Sequence, residues 1–169
     1  GKWLIPGLTD MHIHMESDGY LRPKKYPTEP PSLFFDTQDI MTPYLANGVT
    51  QIFNLDAKAE SFAQRNQVEK GAVLGPHMAL AALIDGGKPQ GRIANTPSDG
   101  RQAVRDAKAE GYEFIKLYSG LDVETFAAIV DEALEELRGR DRARIAGIAD
   151  VAHVGDFAVD LLVVSCAER

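Results

Sequence analysis

Pro6-Gly7-Leu8-Thr9-Asp10-Met11-His12-Ile13-His14, near the start of this 169-residue chain, places two histidines two residues apart in a stretch with strand character. Successive side chains of a strand point to opposite faces, so His12 and His14 leave the same face and can reach one metal ion. Imidazole suits zinc and related divalent ions, and such an ion brings the pKa of a bound water close to neutrality. A bare His-x-His pair is more often chance than a ligand pair, so the surrounding residues decide its meaning.

Working outward, apolar β-branched stretches alternate with helix-like ones, which predicts an α/β fold with a parallel sheet and crossover helices. Strands are expected at Leu8 to His14, Val49 to Leu55, Met78 to Ile84, Tyr112 to Tyr118, Ala143 to Val154 and Val159 to Ser165. Thr37 to Asn47 and Ser61 to Lys70 read as helices closed by Gly48 and Gly71, since glycine favours the position just past a helix end. Thr96-Pro97 is a cap and first-turn pair for a helix running to Glu110 and ended by Gly111. From Asp122, the apolar residues Phe126, Ile129, Val130, Ala133, Leu134 and Leu137 recur at steps of one, three and four and align on one helix face. Glu16 to Ser32, with four prolines at 23, 27, 30 and 31, reads as a long loop after the first strand, a length that is often functional.

At 44% hydrophobic and 25% charged residues, the composition is that of one ordinary soluble domain. A net charge of -7 without a clustered basic face argues against a nucleic-acid partner and suits a small neutral or cationic substrate. No apolar run approaches the roughly 18 residues of a membrane span. A single cysteine, Cys166, cannot form an internal disulfide and leans towards a reducing, cytoplasmic setting. Self-association is left open.

The first motif resembles the amidohydrolase superfamily, whose first barrel strand carries Pro-Gly-Leu/Phe-x-Asp-x-His-x-His. Gly111-Tyr112-Glu113-Phe114-Ile115-Lys116-Leu117-Tyr118-Ser119-Gly120 resembles the fourth strand of its imidazolonepropionase-like and prolidase-like members. Ala46-Asn47-Gly48-Val49-Thr50 and Leu83-Ile84-Asp85-Gly86 also suit that group, and the likeness runs from about Lys2 to Leu137. It implies a (β/α)8 TIM-barrel type of fold, here incomplete at five to six βα units, with residues 1–169 forming a single partial barrel domain.

The resemblance further implies a hydrolase acting on C-N bonds, in amides or cyclic amides, through a metal-activated water. His12 and His14 would bind one ion of zinc type, and Lys116 matches a lysine that is often carboxylated and bridges two ions. Capture of carbon dioxide requires a neutral amine, which neighbouring cations and partial burial favour. Otherwise Lys116 is a lysine whose stem lines a strand end. His153, in Val151-Ala152-His153-Val154, is the candidate strand-five ligand. Tyr118, two beyond Lys116, is a candidate for substrate contact. Asp10, two before His12, is a candidate to orient a ligand by hydrogen bonding. Either could instead be packing at a strand end.

Two expected residues are missing. Ser165-Cys166-Ala167-Glu168 stands where a strand-six histidine is expected; Cys166 could replace it as a thiolate or be an inert cysteine. The aspartate expected after strand eight, which would move the proton, has no counterpart, so the catalytic group is unknown. His77, after Gly75-Pro76, reads as a surface residue.

Arg138-Gly139-Arg140-Asp141-Arg142-Ala143-Arg144 replaces the apolar approach to strand five. Either Ile145 to Val154 is a divergent strand five, or the tail is foreign to the family and His153 a chance histidine. Two alternatives accompany the hydrolase reading. One is a truncated or degenerate fragment without activity. The other is a metal-dependent phosphoesterase of the polymerase-and-histidinol-phosphatase type, suggested by Asp10 to His14 with Ser17-Asp18-Gly19. That family's second strand ends in Thr-Asp-His, whereas Val49 to Asp56 contains no histidine.

Overall fold

The computed structural model describes residues 2–15, 36–87, 91–138 and 163–165. The proline-rich stretch at 16–32, the arginine-rich stretch after Arg138, the strand expected at Ile145 to Val154 with His153, and Cys166 lie outside the described residues. The chain forms two compact units, Gly1–Leu80 and Ala81–Arg169, that divide within one strand.

In the first unit, β1 (Leu8–Ile13), β2 (Val49–Asn54) and the start of β3 (His77–Asp85) run parallel. Helices α1 (Thr37–Ala46) and α2 (Ala59–Glu69) form the crossovers, as parallel pairing requires. Asp36 caps α1 by accepting the Gln38 amide at 3.0 Å, and Gly48 follows with φ +77°, a left-handed turn that glycine adopts without strain. The Gly48 carbonyl then accepts the Leu8 amide at 2.8 Å, so the turn feeding β2 also anchors the start of β1. Gln38 bridges to the loop after α2, donating to the Leu74 carbonyl at 2.7 Å and accepting its amide at 2.9 Å. Ile13, Met15, Met41, Ile52, Leu55, Met78 and Leu80 are buried, removing from water the apolar area that stabilises the unit. α2 begins at Ala59, two residues before the expected Ser61. Ser61 is the third helical residue, and its hydroxyl accepts the Lys58 amide at 3.2 Å to close a capping box.

In the second unit, the rest of β3 pairs in parallel with β5 (Phe114–Leu117), aligning Ala81 with Phe114 and Ile84 with Leu117. A two-residue strand, β4 (Arg92–Ile93), also joins β3 in parallel; no periodicity announces so short an element. Helix α3 (Pro97–Glu110) starts at the Thr96 cap, whose hydroxyl accepts the Asp99 amide at 3.2 Å, and stops at Gly111 with φ +92°. Helix α4 (Val123–Arg138) follows Asp122, which accepts the Thr125 amide at 2.7 Å. That contact holds the Asp122 carboxyl below its usual range. Thr125, Ala128, Ile129 and Ala133 form the buried stripe of α4.

β6 (Val163–Ser165) pairs with β5 antiparallel, matching Phe114 with Ser165 and Lys116 with Val163. A repeating βα unit would have delivered a parallel strand here. The expected strand at Val159 to Ser165 is thus present at its C-terminal end, with the opposite direction.

α3 and α4 pack closely because α3 offers only small residues, Gly100, Ala103, Val104 and Ala107. A Cβ on Gly100 would stand 2.7 Å from Cγ1 of Ile129. Arg105 pairs with Glu132 at 2.8 Å, and Lys108 with Glu136, along the flank of this contact. G100A is expected to lower stability by about 1 kcal/mol, overpacking of roughly 1–3 kcal/mol being partly offset by alanine's helix propensity. Chemical denaturation checks this: a stability gain of the size propensity alone provides would show that the helices separate freely.

Candidate metal centre

β1 does not run as a plain strand into its histidines. Asp10 aligns with Ile52 and Ile13 with Asn54, three steps along β1 against two along β2, so β1 carries one extra residue at Met11-His12. Such a bulge takes backbone groups out of the ladder and re-aims side chains. The Asp10 carboxylate accepts the His12 backbone amide at 3.1 Å, and the ladder resumes where Leu55 donates to the Ile13 carbonyl at 3.0 Å. Ile13 and Met15 turn into the core while His12 and His14 are exposed.

The two imidazoles meet at their tips. Nε2 of His12 lies 3.2 Å from Nε2 of His14, with ring centroids 5.2 Å apart and planes at 61°. Two nitrogens bound to one tetrahedral zinc at about 2.0–2.1 Å stand roughly 3.3 Å apart. The pair therefore has the separation of two ligands of one ion. Among the described residues no group of three or more His, Cys, Asp or Glu is arranged to hold a metal.

Behind them, the C-terminal end of β2 is a fixed polar cluster. Asn54, 1% exposed, donates to the Ser61 hydroxyl at 3.0 Å, and Lys58 pairs with Asp56. Asn54 stands in register with Ile13, at the strand end beside the histidines. Sequence reading missed it, because an asparagine at a strand end usually signals only a turn.

In the second unit, Lys116 is 1% exposed, the largest of the fully buried side chains. It aligns with Leu83 of β3, and its Nζ lies 5.9 Å from the ring centroid of Tyr118, which is half-buried. An aliphatic stem in the core is ordinary for lysine, whereas burial of the amine itself is costly and rare. His77 is exposed at the first position of β3. His153 and Cys166 lie outside the described residues.

The structure also draws attention to Asp85, 4% exposed at the end of β3. Its Oδ1 accepts the Gly86 amide at 2.8 Å and the Gly120 amide at 2.9 Å. Only the pairing of strands brings Gly120 to it, which is why the sequence stretch Leu83 to Gly86 gave no role to this carboxylate.

The parallel strand-and-helix order is similar to that of solved amidohydrolase and prolidase structures. Among solved structures, ochratoxinase of A. niger matches 78% of this chain at a TM-score of 0.59 and 21% identity. A Xaa-Pro dipeptidase with bound methionine matches 77% at 0.57 and 22%, and a prolidase complexed with N-methylphosphonate-L-proline matches 77% at 0.59 and 24%. The chain spans 41%, 41% and 40% of those three structures, less than half of each. No known family profile matches the chain, and no curated protein does. The resemblance read from the sequence is therefore upheld at the level of the fold. Among the described residues, no helix is long and apolar enough to cross a membrane.

Proposed function

We propose that this chain is one arc of a barrel of a metal-dependent hydrolase that cleaves C-N bonds in small amide or cyclic amide substrates. The observation that carries this reading is the 3.2 Å separation of the His12 and His14 nitrogens. A divalent ion of zinc type would supply Lewis acidity and an activated water. His12 and His14 donate two neutral nitrogens to it. Lys116, carboxylated, and His153 are the further ligand positions, both taken from the resemblance, and Tyr118 contacts the substrate. The test is amine release from N-acyl amino acids and X-Pro dipeptides by the zinc-loaded chain. Turnover that stops on chelation is expected.

A chain that binds no metal tightly and does not turn over would instead be the non-catalytic fragment. The phosphoesterase reading gains nothing, since β2 ends on Asn54, committed to Ser61, where that family has a histidine.

Asp10 acts on this site through the backbone. By accepting the His12 amide at the bulge it sets where the imidazole emerges. D10A is expected to weaken zinc binding by about 10–100-fold, the usual effect of losing a residue that orients a ligand. D10N keeps an acceptor oxygen and should retain most of the affinity. Competition titration against a chromophoric chelator reads this out, and equal losses in both variants would show that charge, not the amide bond, is what Asp10 supplies.

A further inference from the structure

We propose that Asp85 is a positioning residue that clamps the turn after β5 and thereby holds the Tyr118 ring beside the Lys116 amine. The inference rests on the reading that Lys116 and Tyr118 belong to the functional site. Three features of the second unit carry it. The first is the carboxylate: at 4% exposure Asp85 is taken out of water, and a buried acceptor must be matched by donors. Its Oδ1 takes two, the amide of its own turn at Gly86 and that of Gly120, 35 residues away on the neighbouring strand's turn.

The second feature is the closeness of the two turns. A Cβ on Gly120 would collide with the Gly86 carbonyl oxygen and stand 2.6 Å from Asp85 Oδ1; a Cβ on Gly86 would collide with the Gly120 carbonyl oxygen. Both positions therefore demand glycine for approach, not for backbone conformation. The third is what hangs on the clamp. Tyr118 donates its amide to the Ile84 carbonyl at 3.1 Å, so the segment from Tyr118 to Gly120 is tied to β3 at both ends. The tyrosine ring stands 5.9 Å from Lys116 Nζ at one end of that tied segment. A turn fixed twice holds the Tyr118 backbone in one place, and with it the point from which the ring projects, which is how a supporting residue acts on a binding group.

The test uses the full chain with carbon-13-labelled tyrosine and compares wild type with D85A, D85N and G120A by NMR. In D85A the Gly120 amide should exchange with solvent about tenfold faster or more, as loss of a hydrogen bond to a charged acceptor implies, while Ile115 inside β5 keeps its protection. The Tyr118 ring resonance should move or broaden in D85A. Asparagine retains an acceptor oxygen, so D85N should restore both signals. G120A leaves Asp85 intact but forces the turns apart, and should displace Tyr118 even if D85A fails to fold. An unmoved Tyr118 resonance in G120A or in folded D85A, or D85N behaving as D85A does, overturns the proposal. Carbamate on Lys116 is read separately, by labelled bicarbonate; its absence would sink the role given to Lys116 without touching the clamp.

Discussion

Replacing His14 with alanine is expected to weaken zinc binding by about a hundredfold while leaving the fold in place. If a total binding free energy of roughly 10–16 kcal/mol is shared among four ligands, each contributes about 3 kcal/mol, close to two decades in affinity. His14 is exposed just past the end of β1, so its removal opens no cavity, and surface changes of this kind move stability by roughly 0.5 kcal/mol or less. H12A should behave alike, and H12A/H14A together should abolish stoichiometric binding, because the two nitrogens 3.2 Å apart act on one ion. Chelator competition gives the affinities and thermal unfolding of the metal-free proteins gives the control. An H14A protein that binds zinc as wild type does would reduce the pair to two neighbouring surface imidazoles.

The second large effect is expected at Lys116, where fold and function pull in opposite directions. A buried amine is tolerated at a cost, and methionine offers a chain of similar length and volume with no charge to desolvate. K116M should therefore fold, and its metal-free form should be as stable as wild type or more stable, by up to about 4 kcal/mol, the range seen when buried charged groups give way to apolar ones. The same variant should bind fewer metal ions per chain, since a thioether cannot form the carbamate. Denaturant unfolding and metal analysis on one preparation read both outcomes. A destabilised K116M with undiminished metal would identify Lys116 as a structural residue of the β5 core.

Much of the fold was legible because its signals are local. Gly48, Gly71 and Gly111 end helices where they stand, all at positive φ, and Thr96-Pro97 opens α3 as its hydroxyl and ring dictate. The histidine pair was legible for the same reason, since residues two apart in extended backbone leave the same face, and this holds although His14 stands one residue past the end of β1. What escaped depends on partners distant in sequence. The extra residue at Met11-His12 exists only against β2, and the Asp10 carboxylate accordingly serves the His12 amide and not an imidazole. Asp85 acquires its second donor only when β5 lies beside β3. The direction of β6 could not be read from Val163-Val164-Ser165, because an apolar run is compatible with either pairing.

The α4 stripe illustrates the intermediate case. Periodicity placed Ile129 and Ala133 correctly in the core, while Phe126, Val130 and Leu134 are only half-buried and Thr125 is fully buried. The stripe is rotated towards Thr125 because Gly100 of α3 lets Ile129 and Thr125 approach its backbone. A hydrophobic pattern fixes which side of a helix faces inward, and the small residue on its partner sets the final turn.

If His12 and His14 are ligands of a single divalent ion, X-ray absorption at the zinc edge on the reconstituted chain will show it. One tightly held ion or more per chain is expected, with a nitrogen and oxygen shell at about 2.0–2.1 Å and outer-shell imidazole scattering that disappears in the H12A/H14A protein. A chain that takes up no stoichiometric zinc, or whose zinc spectrum is unchanged when both histidines are removed, would contradict it.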